Sequence, residues 1–116
     1  MSDLSFDALR LANGSRCARW HPPESTPWTA ADWSNATCGE AGEMANVIKK
    51  IRRYETGAIN EGDPPLEKLK GLAADEIADV VIYADLLAKY LGVDLGQAIR
   101  AKFNRTSEKY GFPERL

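Results

Sequence analysis

Two stretches of this chain place carboxylates where a small protein needs apolar side chains. In "CGEAGEMANVIKK", residues 38–50, Glu40 and Glu43 lie three positions apart. At about 100° of rotation per residue, with Glu40 at zero, Trp33, Ala36, Met44, Val47 and Ile51 fall within roughly 40°, and Glu43 lies about 60° to one side. "DEIADVVIYAD", residues 75–85, repeats the arrangement. With Glu76 at zero, Leu69, Leu72, Val80, Tyr83 and Leu87 fall within about 40°, and Asp79 lies about 60° to one side. Packing the two stripes together gathers four acids in one partly buried cluster. Isolated buried carboxylates cost on the order of several kcal/mol each unless protonated or paired. Lys50, in line with Glu43 two turns on, cannot balance four acids alone. A divalent metal can, and an all-carboxylate site without His or Cys selects hard ions such as Mg²⁺ or Mn²⁺.

Either pair alone is common on exposed helices; the matched phase of two pairs on apolar stripes is the informative feature. Asp85 serves as a contrast. It lies about 180° from Glu76, can pair with Lys89 at i+4, and reads as plain surface. Asp75, about 100° away, reads as surface or the margin of the site.

At 116 residues the chain has the size of one domain, residues 1–116. Its charged and apolar fractions, 28% and 44%, are those of a globular protein. No apolar run approaches the roughly 20 residues that span a bilayer, and "MSDLSFDALR" lacks the basic-then-apolar order of a signal peptide. A cytoplasmic location is the expectation. Cys17 and Cys38 are too few and too far apart for a disulfide framework or zinc ribbon, and the single histidine, His21, has no ligand-spaced partner. A net charge of −2 argues against nucleic acid as a main partner, and the basic run "KKIRR" reads as a solvated helix face.

The pattern predicts four helices and almost no strand, a helical bundle. The first runs from about Leu4 to Trp20, with Phe6, Leu9, Leu11 and Ala12 on its apolar side, and ends at the proline-rich "HPPESTP". The second starts behind Thr29, with Asp32 in its first turn, and stops at Gly57. "AINEGDPP" is the most loop-like stretch. The third runs from about Pro65 to Leu91 and is closed by Gly92. The fourth is capped by Asp94, with Gln97 at the capping-box position, and ends at "GFP".

Hard metals on carboxylates suit phosphoryl chemistry, which also needs cations for the rest of a phosphate chain. In "KFNRTSEKYGFP", Lys102 and Lys109 share a line with Thr106 beside it, while Ile99, Phe103 and Tyr110 are expected to face the core. Trp33, two turns before Glu40, and Tyr83, one turn after Asp79, are placed to stack on a base. Trp20, His21 and Trp28 crowd the loop before the second helix and could close over it. Core packing is the competing role for each aromatic.

"GEAGEMANVIKK", followed after a loop by "DEIADVVIYADLLAKYLGVDLGQAIRAKFNRTSEKYGFP", resembles the MazG-like all-α nucleoside triphosphate pyrophosphohydrolases, a superfamily that includes the dimeric dUTPases and the dCTP pyrophosphatases. The resemblance covers roughly residues 28–113, and "FDALRLANGSRCARWHPP" looks like the lead-in helix of small, often phage-encoded members. It implies Mg²⁺- or Mn²⁺-dependent hydrolysis of the α–β phosphoanhydride of a (d)NTP, to monophosphate and pyrophosphate. It further implies that Glu40, Glu43, Glu76 and Asp79 hold the metal, with Glu43, and Glu40 beside it, orienting the water. Lys102, Thr106 and Lys109 fall to the triphosphate and Tyr83 to the sugar or base. Such proteins form dimers or dimers of dimers. Where the family often has two adjacent glutamates at the start of the first motif, Gly39 stands here.

The base is left open among dGTP or GTP, dCTP and dUTP. Two competing classes are a ferritin-like di-iron bundle, whose E-x-x-H pairs are absent, and a non-catalytic helical adaptor whose acids face solvent or a basic partner.

Overall fold

In the computed structural model, which describes residues 3–116, the regular elements are α1 (Phe6–Trp20), α2 (Ala30–Thr56), α3 (Leu66–Tyr90) and α4 (Leu95–Tyr110), with no strand among the described residues. The all-α expectation holds, and the caps at Asp94, Gly57 and Gly111 lie where the turn chemistry put them, while α1 starts two residues later than the expected Leu4, behind Ser5. Ser5 opens α1 by accepting the Ala8 N–H at 3.0 Å, and Asp94 opens α4 by accepting that of Gln97 at 3.1 Å. At the head of α2 the Asp32 carboxylate accepts both the Thr29 N–H, at 2.7 Å, and the Thr29 hydroxyl, at 3.1 Å. Gly57 and Gly111 end α2 and α4 at φ 77° and 69°, a left-handed conformation that costs glycine least. No helix of the described residues is long and apolar enough to cross a membrane.

The helices belong to two compact units, one formed by the chain up to Pro27 together with Asp85–Leu116, the other by Trp28–Ala84. In the Trp28–Ala84 unit the stripes of α2 and α3 supply the packed side chains: Leu69 is fully buried, Trp33 and Ala73 nearly so, and Met44, Val47 and Ile51 half-buried. Leu72, on the same stripe, stays largely exposed. The connecting loop is fastened to the end of α2. The Tyr54 hydroxyl donates to the Pro64 carbonyl at 2.6 Å, and Arg53 Nη1 meets Asp63 Oδ1 at 2.7 Å, while Asp63 Oδ2 accepts the Asn60 N–H at 2.9 Å. The segment richest in turn residues is thereby the clamp that closes the α2–α3 hairpin.

In the other unit the polar side chains overturn several expectations. Asp85 is not surface: it is fully buried, taking Arg10 Nε at 2.9 Å on one oxygen and Asn13 Nδ2 at 3.0 Å on the other. The Arg10 guanidinium also donates to the Val93 carbonyl at 2.8 Å. Lys89 does not take the i+4 pairing; its aliphatic stem lies against Gly14, where an added Cβ would come within 3.0 Å of Cε. The cause is tertiary, because α1 lays a cation and an amide on the face of α3 that helical periodicity alone labels as outer. On α1, Leu11 is 79% exposed, Phe6 is also exposed and Asn13 is buried; on α4, Ile99, Phe103 and Tyr110 face solvent while Ser107 is buried. The apolar faces of these two helices are only partly used within this chain. One local fit does use Phe6: its side chain packs on Gly96, where an added Cβ would stand 3.3 Å from the Phe6 Cβ and 3.6 Å from its ring.

Removing one member of a buried ion pair leaves the other uncompensated. Arg10→Ala should therefore destabilise the fold by about 3 kcal/mol, since it strands a carboxylate with no water contact. Asp85→Ala should cost less, because Arg10 is partly exposed and can turn to solvent. Urea denaturation of the two single variants and the double variant measures both the asymmetry and the coupling.

Candidate metal centre

One turn of α2 and one turn of α3 meet on their carboxylates. Glu40 and Glu43 project from successive positions on one side of α2, and Glu76 from the facing stripe of α3. One carboxylate oxygen from each of the three lies within 4.8 Å of the others. Glu40 and Glu76 are half-buried and Glu43 is exposed. Asp79, half-buried one turn beyond Glu76, stands outside this three-oxygen group but close enough for its charge to act on two of its members.

The electrostatics are those of a site short of positive charge. The Glu40 carboxyl is held above its ordinary range first by burial, then by the charges of Glu43 and Asp79, with a hydrogen bond to Glu43 and the charge of Glu76 adding to the effect. Glu76 is raised in the same order by burial, Glu43, Asp79, the hydrogen bond to Glu43, and Asp75. Glu40 Oε2 and Glu76 Oε2 are each removed from water with no hydrogen-bond partner. None of the ion pairs among the described residues engages these acids; the basic partners are committed to Asp85, Asp63 and Glu67.

Two orphaned carboxylate oxygens and a third acid within reach form a donor set that fits a hard divalent ion, which takes oxygen ligands and needs no imidazole or thiolate. Glu40, Glu43 and Glu76 would hold it.

The other expected site residues are distributed between the two units. Lys50, half-buried on α2, shares the unit of the carboxylates and has no acid paired to it among the described residues. Tyr83 is half-buried in that unit. Trp33 is 8% exposed and packs its ring on Trp28, with centroids 4.6 Å apart. Lys102, Thr106 and Lys109 are exposed on α4, in the other unit. The Thr106 hydroxyl donates to the Lys102 carbonyl at 3.1 Å, and Lys109 Nζ stands 5.3 Å from the Tyr110 ring centre. Trp20, at the end of α1, is exposed under the Arg16 guanidinium, and His21 donates its N–H to the Cys17 carbonyl as the cap. The Trp28–Trp33 ring pair was not legible from helical phase, since Trp28 precedes the helix; a tryptophan five residues before another across a helix start is its only sequence signal.

The MazG-like family profile matches residues 45–116, more than half of the chain, and the chain belongs to that family. Members are generally nucleoside triphosphate pyrophosphohydrolases. The matched segment contains Glu76, Asp79 and the lysines of α4, whereas Glu40 and Glu43 precede it. No curated protein and no solved structure matches the chain significantly.

The raised carboxyls set the pH behaviour of the metal-free protein. A folded-state carboxyl above its unfolded value makes the native state the better proton binder, so stability falls as pH climbs from about the ordinary value of 4.5 through the raised one. Glu40→Gln and Glu76→Gln should each flatten that slope and raise the melting temperature of the metal-free protein at neutral pH. Thermal melts in chelator across pH 4–8, roughly the window over which carboxyls with raised values titrate, check both effects.

Proposed function

We propose that this protein hydrolyses the α–β phosphoanhydride of a nucleoside or deoxynucleoside triphosphate, releasing monophosphate and pyrophosphate, with Mg²⁺ or Mn²⁺ at the carboxylate cluster. The observation that carries the reading is the convergence of Glu40, Glu43 and Glu76 with two of their oxygens orphaned, in a chain of the MazG-like family. When bound, the ion supplies charge neutralisation of phosphate oxygens and acidifies water.

The residues divide the remaining work by their exposure. Glu40 and Glu76, half-buried, are the fixed holders of the ion, and Asp79 completes the set of four acids from one turn further along α3. Glu43, the exposed member, shares in holding the ion and also orients the attacking water and takes up its proton. The water oxygen bonds to the α-phosphorus, the bridging anhydride bond breaks, and pyrophosphate leaves. Lys50 is assigned to the phosphate chain from its place two turns along α2 from Glu43, on the same helical line and in the same unit, and Lys102, Thr106 and Lys109 on the resemblance to the family. Tyr83, His21 and Trp20 are assigned to the base or sugar, and Trp33, nearly buried against Trp28, to the packing at that end of α2.

The reading includes a homodimer or homotetramer. Exposed Ile99 and Phe103, which with Ala98 and Lys102 line an apolar hollow of about 400 Å³, support it as surface a second copy would cover. A cytoplasmic role in adjusting or cleaning a nucleotide pool follows from the same activity.

Pyrophosphate and monophosphate release from a panel of purine and pyrimidine (d)NTPs, with Mg²⁺ or Mn²⁺ and with chelator, tests the reaction. Turnover is expected that vanishes in chelator. Glu43→Gln should lower kcat by about a hundredfold or more with the melting temperature retained. Metal-independent turnover, or near wild-type kcat in that variant, would remove the assigned roles. Absence of release from the whole panel would favour the adaptor.

A further inference from the structure

The α2–α3 hairpin is fastened at one end and repelled further along, and Asp63 is the hub of the fastening. Its Oδ1 takes Arg53 Nη1 at 2.7 Å, its Oδ2 accepts the Asn60 N–H at 2.9 Å, and its own N–H donates to the Asn60 carbonyl at 3.1 Å. One side chain, 7% exposed, thus closes the turn on itself and ties it to α2. At the next residue the Pro64 carbonyl accepts the Tyr54 hydroxyl at 2.6 Å. From this clamp the helices run back to the acids over equal lengths. Glu43 lies ten residues before Arg53, and Glu76 ten residues after Leu66, the first residue of α3. At 1.5 Å of rise per residue each arm is about 15 Å long, which brings Glu43 and Glu76 level with each other.

The packing between clamp and acids is apolar: Leu69 is fully buried, Ala73 nearly so, and Val47 and Ile51 half-buried. Apolar burial is non-directional and holds two helices together without fixing which residue stands opposite which. Hydrogen bonds depend on distance and angle, so the clamp supplies the register that the core does not. A slip of one residue along α3 moves the acid position by about 1.5 Å along the axis and 100° around it, out of the group whose oxygens lie within 4.8 Å of one another. The same slip relieves a repulsion that nothing answers, since Glu40 Oε2 and Glu76 Oε2 have no hydrogen-bond partner.

We infer that Tyr54 and Asp63 are positioning residues for the metal: the clamp holds Glu76 level with Glu40 and Glu43 against their repulsion, so the site is formed before the ion arrives. The inference rests on the divalent-metal part of the proposed function and adds to it the residues that set the affinity. An ion that binds only the aligned hairpin has its apparent affinity reduced in proportion to the fraction of molecules so aligned. Loss of the clamp therefore weakens binding while every ligand stays in place in the sequence.

Tyr54→Phe deletes one hydroxyl, and Asp63→Asn removes the charge opposite Arg53 with little change of shape. Mn²⁺ affinity is measured by electron paramagnetic resonance for the wild type, the two single variants, their double variant, Glu76→Gln and Arg10→Ala, at a temperature where circular dichroism shows each protein folded. The double clamp variant should bind Mn²⁺ roughly tenfold more weakly than the wild type, whereas Arg10→Ala, destabilised in the other unit, should keep wild-type affinity. In chelator at mildly alkaline pH, loss of the clamp should lower the melting temperature less in the wild-type background than in Glu76→Gln, because slipping relieves repulsion only where both charges remain. Unchanged Mn²⁺ affinity in the double clamp variant, an equal loss of affinity in Arg10→Ala, or equal melting losses in the two backgrounds would overturn the inference while leaving the metal centre intact. A wild-type protein that binds no Mn²⁺, or binding undiminished in Glu76→Gln, would overturn both.

Discussion

Three carboxylates from two helices are held close together, and their mutual repulsion is the interaction to which the rest of the hairpin is fitted. Nothing in the local propensity of either helix asks for it. Glu40 and Glu76 occupy positions that an apolar residue would fill at no electrostatic cost, and each keeps an oxygen without water or donor. The packing of Leu69, Trp33 and Ala73 beside them supplies the apolar burial that keeps the helices together against that repulsion. Such an arrangement is stable enough to persist and unsatisfied enough to bind a cation. Binding relieves what folding leaves unbalanced, so metal affinity and stability are two measures of the same free energy.

The placement of the acids depends on register, and register is set away from them. The Arg53–Asp63 pair and the Tyr54–Pro64 hydrogen bond close the hairpin roughly 15 Å along α2 from Glu43, taking 1.5 Å per residue. A shift of one residue between the helices would rotate Glu76 away from its partners. The Asp85 cluster plays a different part in its own unit, where a buried acid is fully answered by Arg10 and Asn13. The two groups of acids show the difference between a carboxylate that the fold satisfies and carboxylates that it leaves for a ligand.

Helix positions and most caps were legible because they follow from local chemistry: Asp94, Gly57 and Gly111 act on neighbours within a few residues. The carboxylate cluster was legible because two E-x-x-acid pairs shared a phase with apolar stripes. Asp85 was not, because its partners lie 75 and 72 residues away and periodicity carries no information about them. Ile99, Phe103 and Tyr110 have the spacing of a buried face, but spacing does not say whether the same chain covers it, and here it does not. Trp33 was placed correctly on the line of Glu40, yet its burial behind Trp28 depends on how the chain enters α2, a feature outside any helical wheel. The family profile begins at residue 45 and leaves out the first acidic pair, which was visible from its phase and from the resemblance of the motif around it.

Anomalous scattering from a Mn²⁺-soaked crystal tests the metal centre most directly. The account predicts a peak among the carboxylates of Glu40, Glu43 and Glu76, and its loss in a Glu76→Gln crystal. Manganese bound elsewhere on the chain with these three carboxylates unliganded, or a peak undiminished in Glu76→Gln, would contradict it.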